Sequence, residues 1–234
     1  MKYIFYNHKF FAFTLAEVLI TLGIIGVVAA ITLPTLISNY QMKSFEVAFK
    51  REYSTLQNAI DYAMATDNLS ECYVYLTYGS NGGYYTAKTE DCKQLFESLN
   101  ANLQLKTLNS DINKRYTKRD AVLSGGGKAI NTSVSYDSIT QYTPYMQKDG
   151  SIIFYTNVNI TGGPYHRSVI VIDVNGEKGP NKWGYDVFWM NLTKHTSGKI
   201  LLTDQMASLK EKGGRYPREI MLNEKPSSNN YRWY

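Results

Sequence analysis

Residues 13–37 read FTLAEVLITLGIIGVVAAITLPTLI, with one charge, Glu17, in the whole stretch. A helix crossing a bilayer core of about 30 Å needs roughly 20 apolar residues, so this segment is long enough to span one. Nothing later in the chain is comparably apolar. Lys2, His8 and Lys9 stand just before it. By the positive-inside tendency they place the N-terminus in the cytoplasm and the rest of the chain beyond the membrane.

Three readings compete for this segment. A secretory signal peptide would use Lys2 and Lys9 as its charged start and cut after Val28-Ala29-Ala30. Against it, the apolar run exceeds the usual 7–15 residues and contains a carboxylate. A plain signal anchor fits the length but leaves Glu17 unexplained. The third reading starts from the carboxylate. An acid inside a membrane helix is costly and usually faces a protein partner, so Glu17 calls for a cation.

The residues around Glu17 name a candidate. Ala12-Phe13-Thr14-Leu15-Ala16-Glu17 resembles the processing site of type IV prepilins: a small residue, then Phe-Thr-Leu-x-Glu, then an apolar run. Pro34 is similar to the proline that this family carries about one membrane thickness into the helix. The resemblance covers roughly residues 9–45. It implies that a prepilin peptidase cuts between Ala12 and Phe13 on the cytoplasmic side and N-methylates Phe13. The chain departs from the family in having Ala12 where glycine is usual, which bears on how fast it is processed.

The chemistry of that cut is coherent by itself. Cleavage before Phe13 creates an ammonium at the start of a membrane helix, four residues from Glu17. A neighbouring subunit's Glu17 can pair with it when the helices are staggered, and pairing removes a penalty that either ion alone would carry in low dielectric. Glu17 is therefore the expected filament-assembly residue, and inner-membrane pilin or pseudopilin subunits the expected partners.

Beyond the apolar run, Phe45, Phe49, Tyr53, Leu56, Ile60 and Met64 recur at spacings of three and four, with Glu46, Lys50, Arg51, Glu52, Gln57 and Asp61 on the other faces. This predicts that the helix continues as an amphipathic one to about residue 66, with Gly23, Gly26 and Pro34 as points of bending. Cys72 and Cys92 are the only cysteines; an even pair on the extracytoplasmic side reads as a disulfide, with two free thiols as the rival. A short helix is expected over 92–103. Strands are expected at 133–139, 151–157, 168–174, 185–192 and 199–203, between turn signals at Asp149-Gly150, Asn175-Gly176 and Ser197-Gly198.

The expected fold class is thus α+β: a long N-terminal helix packed on a small antiparallel sheet, the lollipop that the pilin resemblance implies. Its expected parts are a leader (1–12), a transmembrane half-helix (13–37), an amphipathic half-helix (38–66), an αβ-loop region with the disulfide (67–131), the sheet (132–206) and a polar basic-aromatic tail (207–234).

One stretch of the sheet region could bind an ion. Asp173-Val-Asn175-Gly-Glu177-Lys-Gly-Pro-Asn181-Lys-Trp-Gly-Tyr-Asp186 spaces oxygen ligands around a glycine turn, as calcium loops do. Gly184 stands where an EF-hand would place its closing Glu. Asp173, Asn175, Glu177, Asn181 and Asp186 are the candidate calcium ligands; the competing reading is a hairpin held by its own side-chain hydrogen bonds. Major pseudopilins of type II secretion are similar in using a C-terminal calcium loop.

Other constellations are weak. Gly125-Gly126-Gly127-Lys128 lacks the flanks of a phosphate loop. His8, His166 and His195 have no metal spacing, and no Gly-x-Ser-x-Gly occurs; an enzyme is not expected. The net charge of +5, lowered to +3 when Lys2 and Lys9 leave with residues 1–12, is too mild to argue for nucleic acid. The tail mixes Lys210, Lys212, Arg215, Arg218, Lys225 and Arg232 with Tyr216, Tyr231, Trp233 and Tyr234. That composition can bind single strands, but Glu211, Glu219 and Glu224 dilute it, and a solvated tail is expected. Two classes of function remain: a structural subunit of a type II secretion, type IV pilus or DNA-uptake filament, or a membrane-anchored extracytoplasmic binding module that never polymerises.

Overall fold

The apolar run and the amphipathic stripe form one unbroken helix, α1 (Leu15–Thr66), in the computed structural model. The structure describes residues 13–79, 82–116, 121–123, 142–156, 168–204 and 209–225. The expected leader, the strand at 133–139 and the glycine loop at 125–128 lie outside these residues. The chain forms two compact units, one ending at Lys43 and the other beginning at Ser44.

In the first unit α1 is apolar on every side. Leu19, Ile20, Ile24, Ile25, Val27 and Ile31 are all more than half exposed, and this is the one helix among the described residues long and apolar enough to cross a membrane. Two of its hydroxyls bond within the helix: Thr21 Oγ1 donates to the Val18 carbonyl at 3.0 Å and Thr32 Oγ1 to Val28 at 2.9 Å. Pro34 lies inside the helix and offers no N–H to the carbonyl one turn back; the helix nevertheless continues through Gly23, Gly26 and Pro34.

In the second unit α1 becomes amphipathic and buries Phe49, Leu56, Ala59, Ile60 and Ala63, together with one acid, Glu52. It packs on an eight-stranded, mostly antiparallel sheet. The strands are β1 (Tyr73–Gly79), β2 (Gly82–Lys88), β3 (Lys106–Thr107), β5 (Tyr142–Met146), β6 (Ile152–Thr156), β7 (Val169–Asp173), β8 (Val187–Lys194) and β9 (Ile200–Thr203). Their order is β2-β1-β8-β7-β6-β5-β3, with β9 also paired to β8. A single parallel bridge, Val74 to Thr193, joins β1 to β8. The fold class is the α+β one expected, but the sheet draws on residues well before 132.

The central strands β6, β7 and β8 are near-continuous apolar runs because both sheet faces are covered. Ile153, Tyr155, Ile170, Ile172, Phe188 and Met190 share a core with α1 and with α2 (Cys92–Leu103). Ile152, Phe154, Val169, Val171, Val187 and Trp189 form a second core with Ile112, Tyr116, Tyr142 and Trp183. Period-two alternation thus divides each strand between two interiors. Cys72 and Cys92 are disulfide-bonded, pinning the start of α2 beside β1.

The free side of β9 is closed by α1. Gln57 donates through Nε2 to the Ile200 carbonyl and accepts through Oε1 from Leu202 N–H, both at 2.9 Å, while Tyr53 Oη donates to the Leu202 carbonyl at 3.0 Å. One side-chain amide here does the work of a neighbouring strand's backbone, which removes an edge open to aggregation. A small two-stranded sheet, β4 (Ala121–Leu123) with β10 (Leu209–Glu211), and a short helix, α3 (Pro217–Met221), complete the unit. The solvated tail expected from 207 onward is therefore folded across the described 209–225. Lys210, Tyr216, Glu219 and Ile220 are buried there, because the charges pair with one another and the apolar residues join the core.

Candidate functional site

Phe13, the residue expected at the new N-terminus, is 85% exposed; Ala12 lies outside the described residues. Thr14 and Glu17 form a reciprocal cap. Glu17 Oε2 accepts the Thr14 N–H at 2.8 Å and the Thr14 hydroxyl at 2.7 Å, and Thr14 Oγ1 accepts the Glu17 N–H at 3.2 Å. Helix starts leave four N–H groups without intrahelical partners, and a Thr-x-x-Glu box serves two of them. Sequence reasoning gave Glu17 an intermolecular role and missed this local one, although the spacing of Thr14 and Glu17 announces it. Among the described residues Glu17 Oε1 has no hydrogen-bond partner.

The 173–186 loop joins β7 to β8 and buries both of its terminal acids. Asp173 Oδ1 accepts the N–H groups of Asn175 at 3.1 Å and Gly176 at 2.9 Å, and its Oδ2 accepts the Tyr116 hydroxyl at 2.7 Å. Asp186 accepts from the N–H groups of Asn181 at 2.8 Å and Lys182 at 2.7 Å. Burial, with the nearby charge of Asp186 as a smaller cause, pushes the Asp173 carboxyl up to about 8; burial also raises Asp186. Gly176 has φ +64°, and a Cβ there would lie 2.0 Å from the Gly150 carbonyl oxygen, so this turn accepts glycine alone.

The structure thus brings Asp173 and Asp186 into one electrostatic environment and leaves Glu177 exposed to solvent. Asn175 donates through Nδ2 to the Gly179 carbonyl at 3.0 Å. The side-chain oxygens of Asn175 and Asn181 are buried and have no hydrogen-bond partner among the described residues. Among the described residues no three His, Cys, Asp or Glu side chains gather as a metal site. Both carboxylates already accept from N–H and O–H donors, and the two amide oxygens are the groups left over. Oxygen-only donors suit calcium better than a transition metal, and buried oxygens that lack a donor are what such an ion would satisfy.

Two cations of the basic-aromatic segment are committed elsewhere. Lys210 pairs with Glu219 at 3.4 Å and lies over the Tyr216 ring, and Arg215 pairs with Glu46 on α1.

Residues 7–33 match the family model of the prokaryotic N-terminal methylation motif. No curated protein and no solved structure matches the chain. The motif supports the type IV pilin-like family and a subunit of pilin or pseudopilin type. It points to a structural role rather than to an enzyme, and it implies a prepilin peptidase and other pilin subunits as partners.

Proposed function

We propose that this chain is made as an inner-membrane precursor, cut between Ala12 and Phe13, methylated on Phe13, and assembled through α1 into a type IV filament, either a secretion pseudopilus or a pilus. The observation that carries this reading is the state of Glu17. Its carboxylate sits four residues past the expected cut, on a helix with no other charge up to Lys43, and uses one oxygen to cap that helix. The other oxygen is left for the ammonium that cleavage creates on a neighbouring subunit. The cap holds the acceptor in place before the partner arrives, so less side-chain freedom is lost on pairing. The single apolar helix serves as the membrane anchor before assembly and as the filament core after it.

The deciding experiment is the mass of the N-terminal peptide from membranes of the native host. A chain beginning at N-methylated Phe13 is the expected result. A start at Ile31 would make the segment a signal peptide, and an intact Met1 would make it a simple anchor for a binding module.

A second reading concerns the head. The orphan oxygens of Asn175 and Asn181 beside two buried acids favour a calcium seat formed by Asp173, Asn175, Asn181 and Asp186. A bound ion would supply the positive charge that lets both acids ionise in place. Millimolar calcium should raise the melting temperature of the full chain in detergent, and Asp186→Asn should abolish that rise. An unchanged melting curve in the wild-type chain would remove the site.

A further inference from the structure

The C-terminal segment closes back onto the loop that holds Asp186, and from there one side chain reaches α1. Glu211 N–H donates to the Trp183 carbonyl at 2.9 Å, while Glu211 Oε1 accepts from Trp183 N–H at 3.1 Å. Arg215 N–H donates to the Gly184 carbonyl at 2.7 Å, and Tyr185 Oη to the Lys212 carbonyl at 2.8 Å. The seam has no slack. Gly184 has φ +76°, and a Cβ there would lie 2.8 Å from both the Arg215 carbonyl oxygen and Lys210 Cβ; one on Gly214 would lie 2.7 Å from the Trp183 carbonyl oxygen. Two backbones pressed this closely shift together or come apart.

The same segment is fastened at its other side. The Arg215 guanidinium, with a side chain only 12% exposed, pairs with Glu46 of α1, itself 14% exposed. It also donates to the carbonyls of Glu219 and Glu224. Lys210 and Glu219 cross-link the segment internally, and Glu219 Oε2 accepts the Tyr216 N–H at 2.9 Å. Arg215 therefore stands where the loop seam, α3 and α1 meet, and a planar guanidinium with five donors can serve three elements at once.

We propose that residues 209–224 act as a brace, with Arg215 coupling the 183–187 turn to the first turns of α1 in the head, residues 44–51, so that opening one loosens the other. The brace is built from contacts within the head and does not require polymerisation. Where the filament reading also holds, it joins the candidate ion loop to the helix that carries assembly.

Hydrogen exchange read by mass spectrometry on the full chain in detergent tests this. Peptides covering 44–51, 56–63 and 183–187 would be followed. Gly184→Ala crowds the seam at the Arg215 backbone, and Glu211→Ala removes the side-chain half of its contact with Trp183; both keep the Arg215 and Glu46 side chains. Arg215→Met removes the guanidinium but keeps its stem. Each seam variant is expected to speed exchange at 44–51 by about tenfold and leave 56–63 unchanged. In an Arg215→Met background, Gly184→Ala should add nothing at 44–51 while still acting at 183–187. Exchange that rises only at the seam, or effects at 44–51 that simply add, would overturn the brace. Should Gly184→Ala unfold the head and speed 56–63 as well, Glu211→Ala decides the matter by the same criterion.

Discussion

Thr14 and Glu17 cap each other across the first turn of α1, with both the N–H and the hydroxyl of Thr14 donating to a single carboxylate oxygen. This makes the two residues separable by experiment. Glu17→Gln keeps an oxygen for the cap and loses the charge, whereas Thr14→Val loses the hydroxyl and keeps the charge. Glu17→Gln should insert into membranes like the wild type and enter filaments about tenfold less or worse, since a buried ammonium would lose its counter-ion. Thr14→Val should retain most assembly. Counting filament-borne against membrane-borne chains by quantitative blotting checks this, and full assembly by Glu17→Gln would refute the charge role.

The amide of Gln57 serves two backbone groups of β9, so its removal leaves both the Ile200 carbonyl and the Leu202 N–H without that partner. Gln57→Leu should destabilise the chain by about 2 kcal/mol. Gln57→Glu can still accept from Leu202, but it sets a carboxylate against the Ile200 carbonyl and against Asp61, to which Gln57 Nε2 donates at 2.9 Å, and should be no more stable than Gln57→Leu. Denaturant unfolding in detergent gives the ranking, and a neutral Gln57→Leu would show that the edge is not dependent on this residue.

Stability should fall as pH rises, with chelator present. Burial raises Asp173 to about 8 and shifts Glu52, Asp186 and Asp204 in the same direction. The unfolded chain releases these protons near pH 4, while the folded chain holds the Asp173 proton to about pH 8. The contribution of Asp173 is therefore complete below pH 4, shrinks as pH rises, and stops changing above about 8. Asp149, which is lowered, opposes the trend only in the acid range. Melting temperature should decline from pH 5 to pH 8, and Asp173→Asn, neutral throughout, should flatten the decline. An identical slope in the variant would assign the pH dependence elsewhere.

Cys72 and Cys92 close a loop with a sequence separation of 20, and both are fully buried. Replacing both with serine should cost about 3 kcal/mol by loop entropy, or roughly 10 °C in melting temperature for a chain of this size. Scanning calorimetry of the oxidised wild type against the double variant measures it directly. An unchanged melting point would mean that packing, not the cross-link, holds α2 to the sheet.

Much of the fold is legible in the chain alone. A carboxylate and a processing motif at the head of an apolar run, then a stripe at spacings of three and four, specified α1 to within two residues of its start. The expected 92–103 helix and the four expected strands that fall on described residues formed because their apolar periods were strong and local. β1, β2 and β5 were not legible: Tyr, Gly and Pro in those stretches carry no clear alternation, and their pairing is supplied by neighbours distant in sequence. The 209–225 segment misled for a related reason, since its charges look solvated until Glu219 and Glu46 are placed opposite Lys210 and Arg215.

The sequence by itself determined the α+β class, the long helix and the pilin-like N-terminus, because these rest on hydropathy and spacing along one segment. Tertiary structure alone decided that Gln57 completes a sheet edge, that Asp173 is buried deeply enough to keep its proton near neutrality, and that Arg215 links loop to helix. Each of those roles depends on which groups from remote segments share a dry, crowded space, where an unmet charge or hydrogen bond is costly, and no local pattern in the chain records that.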